Sequence, residues 1–277
     1  MLSGLPYIIF SSLEYIPLRL IRRFIFSNRM VSYFNKYLPY YETSLGETSP
    51  ESIVSLYRNH ISNKDLNEKS ILEIGTGKTN ATGYEIVAQT DCTYMGYEPF
   101  AAFDAGLDRR SLYRTCRNHN RESFHITSKV IRINKLEDLP DSSADIILSH
   151  SVLEHVNDPE QLFSELKRIL KSNGFMLHIV DYRDHFFKYP YHFLLFSPAC
   201  WNNYLNPGDL PRYRLGNHIR CFSKLGFRVT PIDTLSDTRE FTRIKNWVNP
   251  YFRAVNDDTL AVTSAILHVT HELNERD

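Results

Sequence analysis

The chain has 277 residues, 42% hydrophobic and 23% charged, which is enough apolar material for one large globular domain with appendages. Lysine plus arginine and aspartate plus glutamate each total 32, so no net charge draws the chain toward nucleic acid, and no nucleic-acid partner is expected. Cys92, Cys116, Cys200 and Cys221 form no CxxC pair, there is no HExxH, and no apolar run reaches the ~18 residues of a bilayer span.

These absences make a disulfide framework unexpected and fit a reducing cytoplasm. No metal site is expected either, because His150 and His155 have the wrong spacing for one helix face.

In residues 1–50, Ile9, Leu13, Ile16, Leu20 and Phe24 recur at steps of three and four, with Arg19, Arg22 and Arg23 around them. The spacing predicts an amphipathic helix bent near Pro17. No small-residue cleavage site follows, so the helix stays in the mature chain. One reading packs residues 1–41 over the active site, with Tyr33, Phe34, Tyr37, Tyr40 and Tyr41 as wall residues. The other lays residues 1–29 on a membrane surface. The first is the favoured expectation.

From residue 51 to the end, short apolar runs alternate with helical patterns. Strands are expected at Ile71–Ile74, Thr93–Tyr97, Val130–Ile133, Ile146–Leu148 and Phe175–Val180, with two more near Phe227–Ile232 and Leu260–Val269. Between the fourth and fifth, Asp158 caps a helix, Pro159 opens it, Gln161 sits at the capping-box position, and Asn173-Gly174 is expected to end it. Leu162, Leu166, Ile169 and Leu170 form its buried stripe. This alternation predicts an α/β fold, a mostly parallel seven-stranded sheet with helices on both faces.

Aromatic residues cluster elsewhere. Positions 7–41 and 182–213 hold 10 each of the 36, and neither segment belongs to the alternating pattern. Segment 182–214 follows the fifth strand, at the sheet edge where ligands bind in such folds, and is expected to shape an acceptor pocket.

The stretch SILEIGTGKT, 70–79, ends like a phosphate-binding loop. Its GK pair lacks the glycine five positions earlier, where Leu72 stands, so no phosphate nest forms. The third glycine of a dinucleotide site is also missing, at Asn80, which disfavours an NAD-dependent oxidoreductase. Glu73 ends the first strand, where a carboxylate repels phosphate and attracts a cation. Glu98 ends the second, roughly 20–25 residues on, where an acidic group binds ribose hydroxyls. A cationic nucleoside without phosphate, such as S-adenosylmethionine, satisfies both.

The stretches ILEIGTGKT, YMGYEP and LEDLPDSSADIILSHSVLEHVNDPEQLFSELKRILKSNGFMLHIVD resemble the class I S-adenosylmethionine-dependent methyltransferases. The resemblance covers residues 51–181 firmly and 215–277 loosely. It implies that Glu73, Gly75, Thr76 and Gly77 line the methionine portion of the cofactor and that Glu98-Pro99 binds the ribose. It also implies that Lys135, Leu136 and Glu137 cover the adenine, with Ser149 and His150 beneath the cofactor. Two departures stand out: Thr79-Asn80 replaces the third glycine, and Lys135 stands where the family often carries an adenine-binding Asp. Glu154 and His155 match the pattern too, and read as helix-start and packing residues.

For the acceptor, His185 follows the fifth strand in DYRDHF as a candidate general base, oriented by Asp181 or Asp184. Arg183, Arg212 and Arg214 could grip an acidic group on the acceptor. DYRDHF, and the stretch carrying Arg212, Arg214 and His218, resemble methyltransferases encoded with polysaccharide and sugar biosynthesis genes. That second resemblance implies O-methylation of a sugar or glycan-like small molecule. The alternatives are a lipid or quinone acceptor at the membrane, and a non-catalytic nucleotide-binding module.

Overall fold

A computed structural model describes residues 4–25, 49–185, 188–206, 208, 210–252 and 256–272. Strands β1 (Ser70–Ile74), β2 (Thr93–Tyr97), β3 (Val130–Ile133), β4 (Ala144–His150), β5 (Leu170–Asp181), β6 (Phe227–Ser236) and β7 (Val262–His271) form one sheet. Their order is β3-β2-β1-β4-β5-β7-β6. The first five run parallel, and β7 lies antiparallel between β5 and β6. The strand order reverses between β1 and β4, so their C-terminal ends open the crevice where ligands bind in such sheets.

Side-chain alternation builds two cores. Leu72, Ile74, Ile147, Met176 and Val180 point to one face, against Phe163 and Leu166 of α5 (Pro159–Ile169) and Leu215 and Phe222 of α6 (Leu215–Lys224). Ile71, Ile146, Leu148, Leu177 and Ile179 point to the other. There they meet Val54 and Tyr57 of α2 (Pro50–Arg58) and Tyr84 and Val87 of α3 (Ala81–Gln89). Burial of these stripes, at about 25 cal/mol per Å² of apolar surface, is the main stabilising term of the sheet. The remaining helices that matter here are α1 (Gly4–Phe24), α4 (Ala105–His119) and α7 (Thr238–Ile244).

α5 starts as expected: the Asp158 carboxylate accepts the Gln161 N–H at 3.0 Å and Pro159 follows it. Its end differs. The helix stops at Ile169, and Leu170 already pairs with Ala144 of β4, so Asn173-Gly174 lie inside the strand assignment. Gly174 sits where a Cβ would stand 2.7 Å from the Asp145 carbonyl. Its role is to let the two chains approach, not to cap the helix.

The two aromatic segments pack on each other. Tyr15 of α1, Tyr189, Tyr191, Phe193, Trp201 and Leu205 of the insertion, and Phe241 and Ile244 of α7 form a third core. The expected pocket wall is therefore largely a buried core. α1 docks with its polar stripe inward, and of the expected apolar stripe Ile16 and Leu20 pack, partly buried, against this core. Ser11, Tyr15 and Arg19 are its buried residues, while Phe10 is 72% and Leu13 68% exposed, and Ile9 and Phe24 are exposed too. Ser11 Oγ and His192 Nε2 are 2.7 Å apart, Tyr7 donates to Glu240 at 2.9 Å, and Arg23 donates to the Asn206 carbonyl at 2.6 Å. Tyr33, Phe34, Tyr37, Tyr40 and Tyr41 lie outside the described residues.

Candidate functional site

The turn after β1 owes its shape to two glycines at φ +81° (Gly75) and +66° (Gly77), a region that side chains with a Cβ enter only with strain. A Cβ on Gly75 would stand 2.3 Å from Cγ2 of Val152, so this glycine also brings the segment after β4 against the turn. A Cβ on Gly77 would meet nothing within 4 Å. That is the open backbone a ligand can approach closely.

Glu98 clasps this turn to the end of β2. One carboxylate oxygen accepts the Gly77 N–H at 2.9 Å, and the other accepts the N–H groups of Phe100 at 2.8 Å and Ala101 at 2.9 Å. A carboxylate has about four lone-pair sites, so one remains for a ribose hydroxyl. Pro99 beside it is exposed. The cradle therefore fits a neutral sugar next to a glycine backbone.

Glu73 is a correction. Strand alternation puts it on the face of Ile71, and it is buried. Its Oε1 accepts the Tyr57 hydroxyl at 3.0 Å and its Oε2 accepts that of Tyr94. Burial raises its pKa to about 7 against the two phenols, which pull it down. Glu73 thus anchors the strand beneath the turn through the two phenols.

Two supports escaped the sequence reading. Arg132 of β3 donates to Thr76 Oγ1 at 3.1 Å and to the Gly77 carbonyl at 2.7 Å, and lies over Phe103 at 5.1 Å. The one charge in the strand VIRI was its only signal. Gly83 of α3 performs the packing task of the missing third glycine: a Cβ there would stand 2.4 Å from the Tyr94 ring. Placed within the helix, it escapes the GxGxxG spacing.

Ser149 stands near the end of β4. It is fully buried, with Oγ 2.8 Å from His178 Nδ1. His150 is half-buried at the end of β4, and burial lowers its pKa against the opposing field of Asp181. Lys135 is exposed, while the Leu136 side chain is buried in the core, leaving only its backbone for a ring.

On the acceptor side, most expected ligands are structural. Asp184 is fully buried; it pairs with Arg19, accepts the Tyr15 hydroxyl and accepts the Phe193 N–H at 3.2 Å. It therefore anchors α1. Asp181 pairs with Arg183, accepting its Nε at 2.9 Å and its Nη2 at 2.5 Å.

Arg214 is fully buried and donates to the carbonyls of Tyr182, Leu260 (2.8 Å) and Val262 (2.5 Å). Arg212 donates to the Phe193 and Phe196 carbonyls, each at 2.8 Å. Burial lowers the pKa of both guanidiniums to about 10. His218 Nδ1 lies 2.9 Å from the Tyr182 hydroxyl, and burial, reinforced by Arg214, lowers its pKa to about 3. Arg214 and His218 brace the junction of β5, α6 and β7, and Arg212 braces the insertion.

His185 keeps different company from that expected. Its ring centroid is 4.7 Å from that of His155, and Glu154 completes the group. Glu154 and His155 sit on a short 3-10 turn, Leu153–His155, between β4 and α5. Glu154 is buried, and burial pushes its pKa well above the carboxylate range. Two adjacent strands thus deliver two imidazoles and a carboxyl group to one point, two residues from the Val152 that packs on Gly75. Such a constellation can move a proton beside the glycine turn.

Residues 72–178 match the family described as a methyltransferase domain. No curated protein matches the chain. Among solved structures, the YcgJ protein of Bacillus subtilis is similar at 15% identity, over 80% of this chain and 98% of its own, with a TM-score of 0.49. An S-adenosylmethionine-dependent methyltransferase from Mesorhizobium loti is similar at 12% identity, over 80% and 97%, with a TM-score of 0.46. A geranyl diphosphate C-methyltransferase from Streptomyces coelicolor A3(2), solved with geranyl diphosphate and S-adenosyl-L-homocysteine, is similar at 13% identity, over 80% and 77%, with a TM-score of 0.48.

Proposed function

We propose that this chain, a class I S-adenosylmethionine-dependent methyltransferase by its domain at residues 72–178, methylates a hydroxyl oxygen of a sugar or glycan-like small molecule. The observation that carries oxygen as the acceptor atom is the grouping of His185, His155 and Glu154 where β4 and β5 end. When bound, the cofactor supplies a methyl group activated on a sulfonium. Gly77 leaves room for it, Glu98 takes a ribose hydroxyl, and His185 receives the proton that the acceptor hydroxyl loses on attack. For the acceptor class, the support is the likeness of residues 181–186 to sugar-locus methyltransferases, since Arg212 and Arg214 are structural.

His185→Ala tests this reading. It is expected to lower kcat by about 10²–10⁴-fold while leaving S-adenosylhomocysteine affinity nearly unchanged. Near-wild-type turnover would overturn the assignment of the base.

One observation favours a second acceptor class, a lipid or quinone. The exposed face of α1 carries Leu5, Ile9, Phe10, Leu13 and Phe24. No described helix is long and apolar enough to cross a membrane, so such contact would be peripheral. Sedimentation with anionic liposomes, lost on Phe10→Asp and Leu13→Asp, would support it. Unchanged partitioning of the variant would remove it.

A further inference from the structure

We propose that Glu154, His155 and His185 form a binding site for one divalent transition-metal ion, of the Zn2+ or Mn2+ kind. One ligand atom from each lies within 4.8 Å of the other two. Two ligands on one tetrahedral ion, at about 2.0–2.2 Å each, stand roughly 3.4 Å apart, so small rotations of the two half-buried imidazoles close the site.

The carboxylate supplies an independent observation. Glu154 is 2% exposed, and its Oε1 accepts a long, 3.4 Å bond from the Asp181 N–H. Its Oε2 has no hydrogen-bond partner among the described residues. Unsatisfied buried carboxylate oxygens are costly, and a cation is the partner that removes the cost. Arg183, the nearby cation, is held by Asp181.

The donor set selects the ion. Two imidazoles and one carboxylate suit zinc, manganese or iron, whereas magnesium and calcium prefer oxygen ligands alone. Three protein ligands leave coordination positions open, as catalytic metal sites do. The role in the reaction rests on the O-methylation reading above. There an acceptor oxygen takes an open position, its pKa falls, and its proton passes to solvent. The oxygen then forms the bond to the methyl carbon, and sulfur keeps the electron pair of the broken bond. In the metal-bound protein His185 is a ligand; in the metal-free protein it is the base.

The test is titration of metal-stripped full-length protein with Zn2+, Mn2+ and Mg2+ by calorimetry, with the visible spectrum of the Co2+ form as a second readout. The expected result is one Zn2+ or Mn2+ per chain, much weaker Mg2+ binding, and a Co2+ spectrum that changes in the variants. Glu154→Gln, which keeps the side-chain shape, and His185→Ala, which lies in a loop, should each weaken binding more than about 100-fold, beyond the 10–100-fold loss typical of outer partners. Exposed His60→Ala should change nothing.

Absence of stoichiometric binding, or affinity unchanged in both variants, overturns the site. If His185→Ala still loses turnover in that case, the O-methylation reading survives without a metal. If metal binds as expected while His185→Ala transfers methyl normally, the site stands and the O-methylation reading falls.

Discussion

The glycine turn after β1 is held through the backbone: the Gly77 N–H on Glu98 and the Gly77 carbonyl on Arg132. The cap over β5 is held by side chains instead, with Arg19 and Asp184 paired at 4% and 0% exposure and Arg214 reaching three carbonyls at none. The first arrangement leaves ligand-facing backbone open. The second encloses its charges completely. The difference teaches that a charge in a sequence marks a ligand site only where folding leaves it accessible. In this cap, charges stand in for core.

The largest effect should come from breaking the cap. Asp184→Asn leaves Arg19 buried without its counter-charge, and removing one partner of a buried pair typically costs 3–5 kcal/mol. Urea unfolding should show a loss of about that size. A loss under about 1 kcal/mol would mean that the pair is solvated and the cap loosely docked.

Breaking the turn should cost less stability and more function. Gly75→Ala combines left-handed strain of about 1–3 kcal/mol with a contact to Val152 that must give way. Thermal unfolding and cofactor titration on the same variant should both worsen. Unchanged cofactor affinity would show that the turn does not shape the site.

The smallest effect concerns Glu73, beneath the turn. Its pKa is raised from 4.5 to about 7 by burial. Between those values the folded protein keeps a proton that the unfolded chain has released, so stability falls as pH rises through this window and levels above it. Glu73→Gln removes this slope. From pH 5 to 7.5 the parent should lose about 1–3 kcal/mol more than the variant. Equal losses would mean that Glu73 is ionised throughout.

The sheet was legible because its strands carry local signals. Thr93–Tyr97 and Val130–Ile133 begin and end where their apolar runs do. The glycines at 75 and 77 and the acidic end of β2 were legible for the same reason. What was not legible depends on partners distant in sequence. Asp184 looks like a loop acid until α1, some 165 residues earlier, brings Arg19 to it. Ile9, Leu13 and Phe24 of the α1 stripe face outward because periodicity finds two faces without saying which is inward, and Tyr15 and Arg19 find buried partners where Leu13 does not. The grouping of Glu154, His155 and His185 required the pairing of β4 with β5, which no spacing in the chain encodes.

The most direct test of the account is calorimetric titration of the full chain and of Glu98→Ala with S-adenosylhomocysteine. One site per chain is expected, weakened in the variant by about 1.5–3 kcal/mol, or about 10–150-fold, through loss of a charged hydrogen-bond acceptor. No binding by the parent, or equal affinity in the variant, would contradict a cofactor held where β1 and β2 end.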